Sequence, residues 1–67
     1  MLRIRTKIGS CQVYTYQYED RWLTLWNYLD GTRSSLASDN LHDAGMAHLQ
    51  IADKIRDEEH LKSKGLL

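Results

Sequence analysis

The chain has 67 residues, 42% of them hydrophobic, with nine Lys and Arg balanced by nine Asp and Glu and a mean hydropathy of -0.57. That length holds one small domain spanning residues 1–67. A chain of this size buries only about 60% of the surface it exposes when unfolded, so it has no room for a second domain or a deep enclosed cavity. Zero net charge excludes both a uniformly basic phosphate-covering protein and an acidic mimic of nucleic acid, leaving at most a local patch to meet phosphate.

Cys11 is the single cysteine, so there is neither an internal disulfide nor a cysteine-based metal cluster, and a reducing compartment is expected. The opening Met1-Leu2-Arg3-Ile4-Arg5 alternates charged and apolar groups, which reads as neither a signal peptide nor a membrane span. A cytoplasmic protein that needs no cofactor and does not engage membrane is the expectation.

From residue 2 to residue 8 the pattern has period two, with Leu2, Ile4, Thr6 and Ile8 on one side and Arg3, Arg5 and Lys7 on the other. Gly9-Ser10 forms a two-residue turn, and residues 11–18, rich in Val, Thr and Tyr, return as a second strand. Residues 22–29 are ambiguous, because Trp22, Leu25, Trp26 and Leu29 also fit a helical stripe. We read them as a strand, since Asp30-Gly31 is a strong hairpin signal that leads into a fourth strand over 32–36. From residue 39 the period becomes helical, and Leu41, Ala44, His48, Ile51, Ala52 and Ile55 share one face at 100° per residue. Ser38 is a candidate cap, Gly65 closes the helix near residue 64, and Gly45 marks either a close backbone neighbour or a weak turn. The predicted fold is α+β: a small antiparallel β-meander of three to four strands with one C-terminal α-helix packed on one face.

Register then sorts the side chains. Two-residue turns at Gly9-Ser10 and Asp30-Gly31 pair Arg5 with Tyr14, Arg3 with Tyr16, Leu25 with Leu36 and Tyr28 with Arg33. A two-residue loop at Glu19-Asp20 would set Tyr14 and Tyr16 beside Leu25 and Leu23. That register would bury Arg3 and Arg5 as well, at several kcal/mol for each unpaired charge. A three-residue loop, Glu19 to Arg21, avoids this. It predicts an aliphatic face under the helix and an outer face carrying all six aromatic residues, Tyr14, Tyr16, Tyr18, Trp22, Trp26 and Tyr28, flanked by Arg3, Arg5, Lys7 and Arg33.

Cross-strand aromatic pairs also serve as plain sheet stabilisers, worth about 0.2–1 kcal/mol each. An exposed patch of this composition, however, matches the Tyr, Trp and Arg enrichment of protein interfaces. The functional expectation is a non-enzymatic protein-binding module, such as an adaptor, regulator or inhibitor, whose partner is another protein or a second copy of itself in a homodimer. Binding of single-stranded nucleic acid by the same face is the alternative: bases would stack on the rings and phosphates would meet the cations. Catalysis finds no positioned set. His42, His48 and His60 lack the i, i+4 spacing of a helical metal site, and His48 points into the apolar face, where a hydrogen-bonded core histidine is the plainer reading. A Cys11-His48 pair at the seam between sheet and helix would hold a buried, inert thiol. The Asp57-Glu58-Glu59 run is a solvated helix end, with Glu58 and Lys62 in the favoured i, i+4 orientation.

Overall fold

Three connections set the architecture, and each is fixed by a residue with positive φ. The computed structural model of the chain describes residues 3–65; Leu2, placed above on the apolar side of the first strand, lies outside them. Strand β1 (Arg3–Ile8) turns through Gly9, at φ +58°, into β2 (Cys11–Tyr18). The pairs Arg3 with Tyr16, Arg5 with Tyr14 and Ile8 with Cys11 are those predicted from a two-residue turn.

The next connection corrects the sequence reading. Strand β3 (Arg21–Asn27) follows after two residues, Glu19 and Asp20, with Glu19 at φ +57°. Tyr18 pairs with Arg21, Tyr16 with Leu23, Thr15 with Thr24 and Tyr14 with Leu25. Residues 22–27 are extended, as read, but they point the other way: Trp22, Thr24 and Trp26 share a face with Val13 and Thr15. A three-residue loop is not needed to keep Arg3 and Arg5 out of the core. The two-residue loop achieves the same end, because the helix lies on the opposite face and leaves these arginines exposed. Indoles offer more apolar area than leucines, so burying Trp22 and leaving Leu25 outside is the favourable assignment.

Strand β4 (Arg33–Ser38) also enters one residue out of the predicted register, with Asn27 opposite Arg33, Leu25 opposite Ser35 and Thr24 opposite Leu36. The loop has three residues. Gly31 N–H donates to the Tyr28 carbonyl at 3.0 Å, Tyr28 N–H donates to the Thr32 carbonyl at 2.8 Å, and Gly31 sits at φ +89°. This is a tight turn followed by a left-handed residue, the three-residue hairpin solution that Asp-Gly also permits. Asp30 fixes it by accepting from the Thr32 hydroxyl at 2.7 Å and from the Thr32 N–H at 2.9 Å. Those two bonds, the hydroxyl's first, hold the Asp30 carboxyl below the usual carboxylate range.

The four strands form one antiparallel sheet in the order β1-β2-β3-β4, and helix α1 (Leu41–Ser63) crosses a single face of it. Asn40, rather than Ser38, caps the helix: its Oδ1 accepts from Asp43 N–H at 2.8 Å, while Ser38 remains in β4 opposite Trp22. At the other end Gly65, at φ +75°, donates its N–H to the Lys62 carbonyl. Ala52 and Ile55 of the helix pack with Ile8, Cys11 and Val13 of the sheet, with Ile51, Trp26 and Leu29 against the edge of this core. Among the described residues no helix is long and apolar enough to cross a membrane.

Candidate functional site on the uncovered face of the sheet

Because side chains alternate along a strand, the register dictates what the uncovered face carries. Strand β1 contributes Arg3, Arg5 and Lys7; β2 contributes Tyr14, Tyr16 and Tyr18; β3 contributes Arg21, Leu23 and Leu25; and β4 contributes Arg33 and Ser35. No strand residue on this face is Asp or Glu, although the chain as a whole is neutral. The nearest carboxylates sit at the rim. Asp39 is one of them, and it pairs with Arg21 at 3.1 Å.

The centre is apolar and partly open. Leu25 is 39% exposed, Leu23 is half-buried, and the rings of Tyr14 and Tyr16 stack beside them with centroids 5.3 Å apart and planes tilted by 32°. The Arg5 guanidinium lies 5.3 Å from the Tyr14 ring centroid. A shallow hollow of about 640 Å³ runs between Arg5, Tyr14, Leu25, Asn27, Arg33 and Ser35. Asn27 braces its floor by accepting from Gln12 N–H at 2.9 Å.

Of the nine residues singled out from the sequence, six gather here: Arg3, Arg5, Tyr14, Tyr16, Tyr18 and Arg33. Trp22, Trp26 and Tyr28 do not. Trp22 is 9% exposed on the helix side, and Trp26 packs against the core with its buried indole N–H lacking an acceptor among the described residues. Tyr28 stands in the β3–β4 loop, edge-on to Trp26, with the Lys54 ammonium 5.9 Å from its ring centroid. The expectation of an outer face bearing all six aromatics is therefore overturned by the register of β3. Sequence reasoning missed Leu23, Leu25 and Arg21 in return, and the signal was the parity of the Glu19-Asp20 loop.

Beneath the sheet lies the other polar cluster. His48 is 3% exposed, its Nδ1 stands 2.8 Å from Thr15 Oγ1 and its Nε2 stands 2.8 Å from Thr6 Oγ1. Thr15 Oγ1 is in turn 2.9 Å from Thr24 Oγ1. A neutral imidazole satisfies this chain in either tautomer, each hydroxyl donating in one direction and accepting from the other. Burial, followed by the field of Arg56, lowers the pKa of His48 from its ordinary value, so the neutral ring is the resting form. With both nitrogens engaged by threonines, His48 has no bond left for Cys11, which is itself buried. Among the described residues no group of three or more His, Cys, Asp or Glu stands ready to hold a metal ion. Chemically, then, the helix-side cluster is a hydrogen-bonded core, and the uncovered face is a basic, apolar-centred surface.

No protein-family model, no curated protein and no solved structure matches this chain.

Proposed function

We propose that this chain is a non-enzymatic protein-binding module that acts through the uncovered face of its sheet. The observation that carries the reading is the pairing of an apolar centre, Leu23 and Leu25 beside Tyr14 and Tyr16, with a border of five strand-borne cations and no strand-borne carboxylate. An apolar centre with a polar rim is the general anatomy of protein interfaces, and the excess of cations over carboxylates at this rim, with Asp39 bridging Arg21, favours a partner that carries Asp or Glu around apolar side chains. A reducing, cytoplasmic setting fits the lone buried thiol.

Single-stranded nucleic acid suits the cations but not the centre. Base stacking needs open ring faces, and Tyr14 has Arg5 beside one side of its ring and Tyr16 packed close by. Leucines offer no stacking platform.

The test is an NMR titration of the protein with two probes. One is a synthetic amphipathic peptide with leucines on one face bordered by glutamates; the other is a mixed-sequence single-stranded oligonucleotide. The proposal expects the peptide to shift the signals of Leu23, Leu25 and Arg33, the shifts to shrink in high salt, and the oligonucleotide to leave the leucines unmoved. Shifts confined to the helix, or leucine shifts with the oligonucleotide alone, would reject it.

A further inference from the structure

Helix α1 has a second face. Opposite the buried Ala44, His48, Ala52 and Ile55 runs a stripe of Asp43, Met46, Leu49, Asp53 and Asp57, all exposed, with Met46 at 48% and Leu49 at 60%. Their spacing puts the two apolar side chains and three carboxylates on one side of the cylinder. Arg56 reaches Asp53 at 3.2 Å from the margin of this stripe. The back of the helix is thus apolar-centred and acidic, while the uncovered sheet face is apolar-centred and basic. The two lie on opposite sides of a two-layer molecule.

We infer that the occupant of the uncovered sheet face is the outer face of helix α1 from a second copy of this chain. The inference rests on the protein-binding reading above and gives the partner an identity. Charge complementarity selects this arrangement over the symmetric ones. Two sheet faces brought together would oppose two surfaces of excess positive charge, even with Arg21 bridged to Asp39, and two helix backs would oppose two surfaces of excess negative charge, even with Asp53 bridged to Arg56; like-charge juxtaposition across an interface is strongly unfavourable. Only sheet against helix brings opposite signs together and covers Leu23, Leu25, Met46 and Leu49 in one contact. With no net charge, no overall repulsion opposes the approach. Each sheet would then lie between two helices, its own and its neighbour's, which is a common layered solution to an open sheet face.

A contact between two different faces on opposite sides of a molecule does not close at two copies. It propagates head to tail into a stack. A four-stranded sheet presents a small footprint, so the contact falls at the weak end of protein interfaces.

Sedimentation equilibrium over about 10 µM to about 1 mM, the range suited to such weak contacts, tests this. Two charge-reversed proteins accompany the native one: Arg5→Glu/Arg33→Glu, with an altered sheet face, and Asp53→Lys/Asp57→Lys, with an altered helix back. Circular dichroism confirms that both are folded. The expected result is a native average mass that climbs past two copies without a plateau, with association at least about tenfold weaker at high salt. Each variant alone stays at one copy. An equimolar mixture of the two associates again, because the intact helix back of the first fits the intact sheet face of the second and the two reversed faces are once more opposite in sign. A native mass that stays at one copy, a native plateau at two, or a mixture that stays at one copy would each overturn the inference. Titrating the Asp53→Lys/Asp57→Lys protein, which cannot stack, with the leucine-glutamate peptide separates the two readings. If self-docking fails, leucine shifts in this titration leave the sheet-face function standing with a different partner, and their absence removes both.

Discussion

The imidazole of His48 meets Thr15 at 2.8 Å beneath the centre of the sheet, a polar bond between the middle of the helix and the middle of β2. Its position sets a pH dependence whose sign is determined. The unfolded chain takes up a proton at His48 near pH 6.5, whereas burial depresses the folded-state value. Above about pH 6.5 both states are neutral at this residue. As pH falls below that, the unfolded state binds the proton first, and stability declines by up to about 1.4 kcal/mol per pH unit until the folded value is reached. Urea unfolding from pH 7.5 to pH 5 should show this loss. The His48→Gln variant should be weaker at pH 7.5 by about 1–3 kcal/mol and should have a flatter pH profile. An unchanged slope in the variant would move the effect elsewhere.

Thr15 and Thr24 form a cross-strand pair whose hydroxyls are satisfied only together with His48. Replacing Thr15 with Val strands Nδ1 of the imidazole and the Thr24 hydroxyl, at a cost of about 1–3 kcal/mol. The further change Thr24→Val removes a polar group that has already lost its partner, so the double variant should cost clearly less than the sum of the two single ones. A double-mutant cycle measures that coupling, and strict additivity would argue against the network.

The two tight turns place the same demand on residue type, and only one of them meets it with glycine. Glu19 occupies φ +57°, a region that costs an ordinary residue about 1–2 kcal/mol. Glu19→Gly should raise stability by about 0.5–1 kcal/mol once the greater freedom of glycine in the unfolded chain is included. Gly9→Ala should do the reverse. A methyl there would sit 2.9 Å from Glu59 Oε1, which can swing away, but the backbone at φ +58° keeps its cost of about 1–2 kcal/mol. Thermal melts of both variants would settle the direction.

Gly45 is different. Its φ is not positive, and a methyl added there meets no neighbour within 4 Å, so no close backbone contact requires glycine. Gly45→Ala should stabilise the helix by about 0.5–1 kcal/mol, with a melting temperature higher by a few degrees. A decrease would mean that the position serves a contact made only with a partner.

The fold was legible where local chemistry alone decides it. The alternation of Arg3, Arg5 and Lys7 against Ile4, Thr6 and Ile8, the Gly9-Ser10 turn and the helix stripe from Ala44 to Ile55 each permit one arrangement, and the structure has it; Leu41, read into that stripe, is instead exposed at the first turn of the helix. Loop parity was not legible. Glu19-Asp20 turns in two residues despite the unfavourable φ at Glu19, because the gain comes from burying Trp22 and packing Trp26 against the core on the side of a helix that begins only at Leu41. One residue of register exchanges every side chain between faces, so that single connection decided whether indoles or leucines stand outside. The basic border survived this because Arg3, Arg5 and Tyr14 depend only on the first hairpin. Asp30-Gly31 permits either a two- or a three-residue hairpin, and the Asp30 bonds to Thr32 select the longer one.

Solvent access to three side chains tests the arrangement of faces most directly. With a soluble paramagnetic agent added to dilute protein, the Leu25 methyl signals should broaden strongly, while the carbon-bound ring proton signals of Trp22 and the indole N–H signal of Trp26 persist at nearly full intensity. Bright leucine methyls alongside bleached indoles would place the aromatics outside and leave the basic, leucine-centred docking face without a structural basis.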